Sequence, residues 1–177
     1  MLKQSVVLLF ILLASSLYAQ DKKKDSTKNN PVIQEAKVNY KALGTDLPAI
    51  RLKTTDDKTI NEADIKSSGN LFLMLFNPNC AHCEDETDSL EKHMDLFKKS
   101  KLVMVAGDKM KEYLVDFERL HSVRRYPIII GLDDAGIIDK TFQYTALPQI
   151  NIYSPEHKLI KIFFGDTRID SLKPYIQ

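Results

Sequence analysis

Cysteine is scarce in this sequence, with two residues among 177. Exported proteins that rely on disulfides in place of a hydrophobic core are small and carry several cysteine pairs, so the chain does not belong to that class. An excess of charge of one sign is also missing, because 25 Lys and Arg residues are balanced by 24 Asp and Glu residues. A nearly neutral chain without a basic stripe is a poor match for nucleic acid. We therefore expect no nucleic-acid partner.

The sequence has no apolar run of the length that a membrane-spanning helix needs, about 20 residues. The run at residues 6–13 follows the positive charge of Lys3 and precedes Leu17-Tyr-Ala19, which is the pattern of a secretory signal peptide. We predict a signal peptide at residues 1–19 and an exported protein, periplasmic or secreted, with no stable membrane span after cleavage. A buried N-terminal helix is the alternative, and the sequence leaves open whether the signal is kept as an anchor.

The segment after the predicted signal is polar. Residues 20–30 contain no apolar side chain, so this segment cannot bury enough surface to offset the entropy of ordering it. We predict a polar flexible linker at residues 20–39. The remaining chain, residues 40–177, has the length of a single domain.

The two cysteines lie three residues apart, at Cys80 and Cys83. They follow residues 71–76, Leu-Phe-Leu-Met-Leu-Phe, whose continuous apolar character predicts a buried strand. A helix is predicted to begin at Cys80, and a helix N-terminus offers free N–H groups and a positive dipole end that favour a thiolate. The pattern predicts a reactive dithiol, with Cys80 as the exposed nucleophile and Cys83 as the resolving thiol.

Other roles for the cysteine pair stay open. A structural disulfide around so short a loop would stabilise the fold by only about 2 kcal/mol. Alternatively, a non-catalytic module could bind a partner protein or hold a soft metal such as Cu(I) on the two thiols, with help from His82, His93 or His121. Haem attachment is excluded because it needs His directly after the second cysteine, where this chain has Glu84. No cofactor is expected.

The rest of the pattern alternates strands and helices. Strands are predicted at residues 47–53, 59–60, 102–106, 127–130, 149–153 and 158–164, and helices at 80–100, 110–121, 136–142 and 169–176. The β-α-β section requires a parallel strand pair, and the hairpin at the end of the chain adds an antiparallel one. The predicted fold class is α/β, with a mixed central sheet, helices on both faces and an N-terminal β-hairpin.

Four segments carry a resemblance to a known family. They are Gly44-Thr-Asp-Leu-Pro48, Phe76-Asn-Pro-Asn-Cys-Ala-His-Cys83 with Glu86, Arg125-Tyr-Pro-Ile-Ile-Ile130 with Phe142-Gln-Tyr-Thr-Ala-Leu-Pro148, and Ser154-Pro-Glu-His-Lys158 with Gly165. Together they resemble the TlpA/ResA-type thioredoxin-like family of exported thiol-disulfide oxidoreductases. The resemblance implies a thioredoxin-like fold and exchange with protein thiols or disulfides. It also implies a role as reductant, supplied by a thiol electron donor in the membrane or periplasm.

The chain departs from that family at three positions, which leaves its substrate and redox potential open. Asn79 stands where Trp is usual, and His82 and Asp88 stand where proline is common. A peroxide-reducing relative would instead need a Pro-x-x-x-Thr-x-x-Cys arrangement, which the region of Cys80 lacks.

Further candidate site residues follow from the resemblance and, for His82, from its position between the thiols. Glu86 matches an acid of the family and is a candidate proton acceptor for Cys83, which lies one helical turn earlier on the same side. Alternatively, Glu86 is an ordinary acid favoured by the helix N-terminus, as Glu84 and Asp85 are. Pro148 is expected to be a cis-proline packed against the dithiol, and Leu147 to offer its backbone to an extended substrate segment. His82, placed between the thiols, would favour a Cys80 thiolate when protonated; it is otherwise a solvent-exposed loop residue.

Overall fold

The apolar segment before the cysteines forms an interior strand of the sheet. The computed structural model describes residues 38–177, and the predicted signal peptide and nearly all of the predicted linker lie outside the described residues. Strand β3 (Leu71–Leu75) is buried along its whole length. It pairs in parallel with β4 (Lys101–Ala106), which pairs in parallel with β5 (Ile128–Asp133). A strand covered on both faces carries apolar residues throughout, which is why residues 71–75 show no alternation.

Antiparallel strands extend the sheet on both sides. Strands β1 (Arg51–Lys53) and β2 (Thr59–Asn61) form a hairpin that pairs with β5 through β1. On the other side, β6 (Gln149–Tyr153) pairs with β3, and β7 (Leu159–Phe164) pairs with β6. The sheet therefore has seven strands in the order β2-β1-β5-β4-β3-β6-β7. The prediction of a mixed central sheet is confirmed.

Helical segments cover both faces of this sheet. Helices α1 (Ala81–Glu91), α2 (Lys111–Leu120) and α3 (Ile169–Leu172) pack on one face. The core there contains Phe72 and Met74 from β3, Phe76 directly after it, and Cys83, Leu90, Leu114, Phe117 and Leu172 from the helices. On the opposite face, Leu71, Leu73 and Leu75 pack with a π-helical turn (Ile138–Phe142) and with Tyr40 and Ile65.

Helix α1 is shorter than the sequence predicts. The apolar spacing of Leu90, Met94 and Phe97 predicts a helix to residue 100, but α1 ends at Glu91 and a 3₁₀ turn (Met94–Leu96) follows. All three side chains are nevertheless buried. The spacing correctly indicated which residues reach the core, whereas a 3₁₀ turn satisfied the same burial with a different backbone. The predicted helix at 80–100 is therefore wrong beyond residue 91.

The strand register brings three loops together at one end of the sheet. Leu75, at the end of β3, pairs with Gln149 at the start of β6, and Gln149 pairs with Phe164 at the end of β7. The segment after β3, the segment before β6 and the segment after β7 therefore meet. Within residues 38–177, none of the helices has the length and apolar character needed to cross a membrane.

Candidate active site

The cysteine pair lies at the start of α1, at the end of the sheet where the segments after β3, before β6 and after β7 meet. Cys80 is the N-cap residue, with extended backbone at φ −139° and ψ 116°, and its carbonyl accepts hydrogen bonds from the N–H groups of Cys83 (2.9 Å) and Glu84 (3.0 Å). Cys80 is half-buried, Cys83 is fully buried, and no disulfide joins them. The two thiols therefore differ in accessibility in the way the sequence predicts for a nucleophile and a resolving thiol.

Burial dominates the protonation of the inner thiol. It raises the pKa of the Cys83 thiol from 9.0 to about 12, since a thiolate there would lose its hydration. A hydrogen bond from the backbone of Asn77 acts in the opposite direction, and the neighbouring Cys80 and the charge of Asp166 raise this pKa further. Cys83 is thus held as a neutral thiol, and its use as a nucleophile requires a group that takes its proton.

Glu86 lies one turn further along α1 and is itself buried, with 4% of its surface exposed. Its Oε2 accepts a hydrogen bond of 2.8 Å from the Thr167 N–H, whereas Oε1 is buried and has no hydrogen-bond partner among the described residues. Burial raises the pKa of this carboxyl from 4.5 to about 7; the Thr167 N–H opposes the shift and Asp166 adds to it. A carboxyl with a pKa near neutrality can both accept and return a proton.

His82 projects to the surface from the first turn of α1. Its Nδ1 lies 3.1 Å from Oδ2 of Asp166, and the two side chains are 69% and 65% exposed. Asp166 was not singled out from the sequence. It lies 84 residues from His82 in the chain, and no local motif around it signals this pairing. Only the register of β3, β6 and β7 brings the two together.

The segment before β6, residues 147–148, lies at the same end of the sheet as the cysteines. The Leu147–Pro148 peptide bond is cis, as expected from the resemblance, and the Pro148 carbonyl accepts a hydrogen bond of 2.8 Å from the Gly165 N–H. Pro148 is buried and Leu147 is half-buried. Leu147 packs against the same hydrophobic core as Cys83.

A cavity of about 610 Å³ opens beside this end of the sheet. Asn77 and Leu147 form part of its wall, so it adjoins the cysteine loop and the proline segment. Apolar residues such as Phe76 and Met110 also line it, together with charged side chains of both signs: Arg51, Asp108, Lys109, Asp134, Asp139 and Lys140. The cavity lining is therefore mixed, with charged and apolar groups.

The remaining histidines are engaged away from the thiols. The Nδ1 of His93 lies 2.8 Å from the Ser89 carbonyl, and that of His121 lies 2.9 Å from Asp88. His157 pairs with Glu62 at 3.3 Å. Over residues 38–177, no three or more His, Cys, Asp or Glu side chains are grouped as metal ligands. The arrangement gives the Cu(I) alternative no support beyond the two thiols.

Sequence comparison identifies the family. The AhpC/TSA family model matches residues 43–162, more than half of the chain, so the protein belongs to the AhpC/TSA family of thioredoxin-like proteins. A search of curated protein sequences found no significant match.

Comparison with solved structures supports the thioredoxin-like fold. StoA from Bacillus subtilis is similar with a TM-score of 0.58 and 18% identity, over 74% of this chain and 98% of that one. A thiol:disulfide interchange protein from Bacteroides sp. gives a TM-score of 0.62 at 18% identity, covering 77% and 91%. The thioredoxin domain of a thiol-disulfide oxidoreductase from Bacteroides vulgatus gives 0.56 at 20% identity, covering 75% and 94%. The predicted thioredoxin-like fold is thereby confirmed.

Proposed function

We propose that this protein is an exported thiol-disulfide oxidoreductase of the TlpA/ResA type that reduces disulfides in protein substrates. The observation that carries the proposal is the asymmetry of the thiol pair: Cys80 is accessible at the N-terminus of α1, and Cys83 is buried beneath it. The helix N-terminus favours negative charge on the outer sulfur. Solved structures of similar fold include proteins named for thiol:disulfide interchange.

The reaction runs in two exchange steps. The Cys80 thiolate attacks one sulfur of a substrate disulfide, an S–S bond to Cys80 forms, and the substrate S–S bond breaks to release a thiolate that takes up a proton. Cys83 then loses its proton and attacks the Cys80 sulfur, which releases the second substrate thiolate. In sum, two electrons and two protons pass from the protein dithiol to the substrate, and Cys80 and Cys83 end as a disulfide.

Glu86 is the group we assign to the second step. Cys83 has a raised pKa because it is buried, so its attack needs a proton acceptor. The Glu86 carboxyl is buried on the same side of α1 and has a pKa of about 7, which lets its ionised form accept that proton near neutral pH. The free Oε1 leaves an oxygen of Glu86 without competing hydrogen bonds among the described residues.

The substrate segment is proposed to lie along residues 147–148. The backbone of Leu147 would pair with an extended segment that carries the target cysteine, and the adjoining cavity would accept one of its side chains. A thiol donor in the membrane or periplasm would then reduce the Cys80–Cys83 disulfide for the next cycle. His82 would favour the Cys80 thiolate when it is protonated.

A trapping experiment tests the assignment of the two cysteines. Cys83→Ser leaves a nucleophile without its resolving thiol, so it should accumulate mixed disulfides with a peptide disulfide substrate, which mass spectrometry detects. Cys80→Ser is the matched control and should accumulate few. Equal trapping by both variants would refute the assignment. Tight binding of one Cu(I) with loss of both free thiols, and no exchange by the wild type, would favour the metal-binding alternative.

A further inference from the structure

The loop at residues 165–167 joins three parts of the site. Its Gly165 N–H donates to the Pro148 carbonyl at 2.8 Å, and its Thr167 N–H donates to Oε2 of Glu86 at 2.8 Å. Between these two anchors, the Asp166 carboxylate contacts His82 at 3.1 Å. One short loop therefore contacts the proline segment and two side chains of α1.

Hydrogen bonds and the conformation of Gly165 hold the backbone of the loop around Asp166. Gly165 adopts a φ of +70°, a conformation that favours glycine, and the Thr167 hydroxyl donates to the Gly165 carbonyl at 3.1 Å. Thr167 is buried, whereas Asp166 is exposed. Because the residues on both sides are held by hydrogen bonds, the backbone of Asp166 is held near the first turn of α1.

The pair of Asp166 with His82 is too exposed to add much to the stability of the fold. Asp166 acts on the site instead through its negative charge. The titratable groups of the first turns of α1 are the two thiols, His82, Glu84, Asp85 and Glu86; the loop adds Asp166, and Arg168 follows it in the chain. The Asp166 charge raises the pKa of both Cys83 and Glu86, in addition to the larger effect of burial.

We propose that Asp166 is a positioning residue of the dithiol site: it ties the first turn of α1, through His82, to the loop at 165–167 and places a negative charge one residue from the Thr167 N–H that binds Glu86. Its charge favours the protonated forms of Glu86 and Cys83. The inference rests on the proposed function for its significance, because only a redox-active pair uses these protons.

The direct test is an NMR titration of the Glu86 carboxyl carbon in the full chain labelled at glutamate, kept in reducing buffer. Asp166→Asn removes the charge and keeps the shape, so the Glu86 midpoint should fall by about 0.2–0.7 pH unit, the effect of one half-exposed charge. Asp170→Asn is the matched control, since Asp170 is an exposed aspartate on α3 that pairs with Lys173. This control should leave the Glu86 midpoint in place.

A fold control accompanies the titration. Urea unfolding should give the same midpoint for the wild type and Asp166→Asn, because the exposed pair with His82 adds little to stability. If asparagine disturbs the loop, Asp166→Ser removes the same charge. An unmoved Glu86 midpoint in the folded variant, or an equal shift in Asp170→Asn, would overturn the inference. A wild type that exchanges no disulfides, but whose Glu86 midpoint moves in Asp166→Asn, would refute the proposed function and leave this inference standing.

Discussion

Replacing Glu86 by Gln should remove the part of the pH dependence of the unfolding free energy that comes from Glu86. Glu86 is 4% exposed, and burial raises its pKa from 4.5 to about 7. One pKa unit corresponds to about 1.4 kcal/mol. Ionised Glu86 therefore destabilises the folded state by roughly 3 kcal/mol relative to the protonated form. The glutamine side chain of Glu86→Gln is neutral at every pH and still offers an oxygen to the Thr167 N–H.

The sign of the effect follows from proton binding. The folded state holds the Glu86 proton up to about pH 7, whereas the unfolded chain releases it near pH 4.5. The folded state therefore binds more protons between these values, and the stability attributable to Glu86 is greatest below pH 4.5 and is lost as pH rises through about 7. In Glu86→Gln this loss should be absent.

Urea unfolding of the reduced proteins at about pH 5 and about pH 8 measures the effect. The unfolding free energy of Glu86→Gln minus that of the wild type should be about 2–3 kcal/mol larger at the higher pH than at the lower one. Glu84→Gln, on the same helix but half-exposed, is the matched control and should follow the wild type. Parallel pH profiles for the wild type and Glu86→Gln would refute the argument that Glu86 is a buried acid with a raised pKa.

Further predictions concern the thiols and the backbone. Iodoacetamide at about pH 8 should modify Cys80 well before Cys83, because Cys83 is buried and its pKa is about 12; peptide mapping checks this, and equal labelling of both in the folded protein would contradict it. Gly69→Ala should lower the free energy of unfolding by about 1–3 kcal/mol, since its Cβ would lie 2.7 Å from the backbone carbon of Lys99. Gly107→Ala, whose nearest contact would be 3.6 Å from a flexible side chain, should cost less than about 1 kcal/mol, and an equal loss in both variants would contradict this account.

The strands were predictable because burial and alternation leave a direct trace in the sequence. The continuous apolar run at residues 71–76 predicts a strand covered on both faces, and β3 occupies residues 71–75. Helix ends were less predictable. The spacing of Leu90, Met94 and Phe97 reports burial, and a helix and a 3₁₀ turn both bury these residues, so the end of α1 at Glu91 was missed.

The site was predictable only as far as its residues are local. Cys80, Cys83 and Glu86 lie within two turns of one helix, so their spacing alone places them together. The burial of Glu86, by contrast, depends on the loop that follows β7, as its hydrogen bond from the Thr167 N–H shows. Asp166 reaches the site for the same reason. Such partners depend on strand register, which single-sequence patterns do not specify.

The most direct test of the central claim, a redox-active dithiol, is an equilibrium titration of the purified protein against glutathione and dithiothreitol buffers. We predict a reversible two-electron transition between the Cys80–Cys83 dithiol and its disulfide, with a potential near or below that of thioredoxin, about −270 mV. A potential near about −120 mV would contradict the role as reductant. A pair that does not cycle in either buffer would contradict the redox function itself.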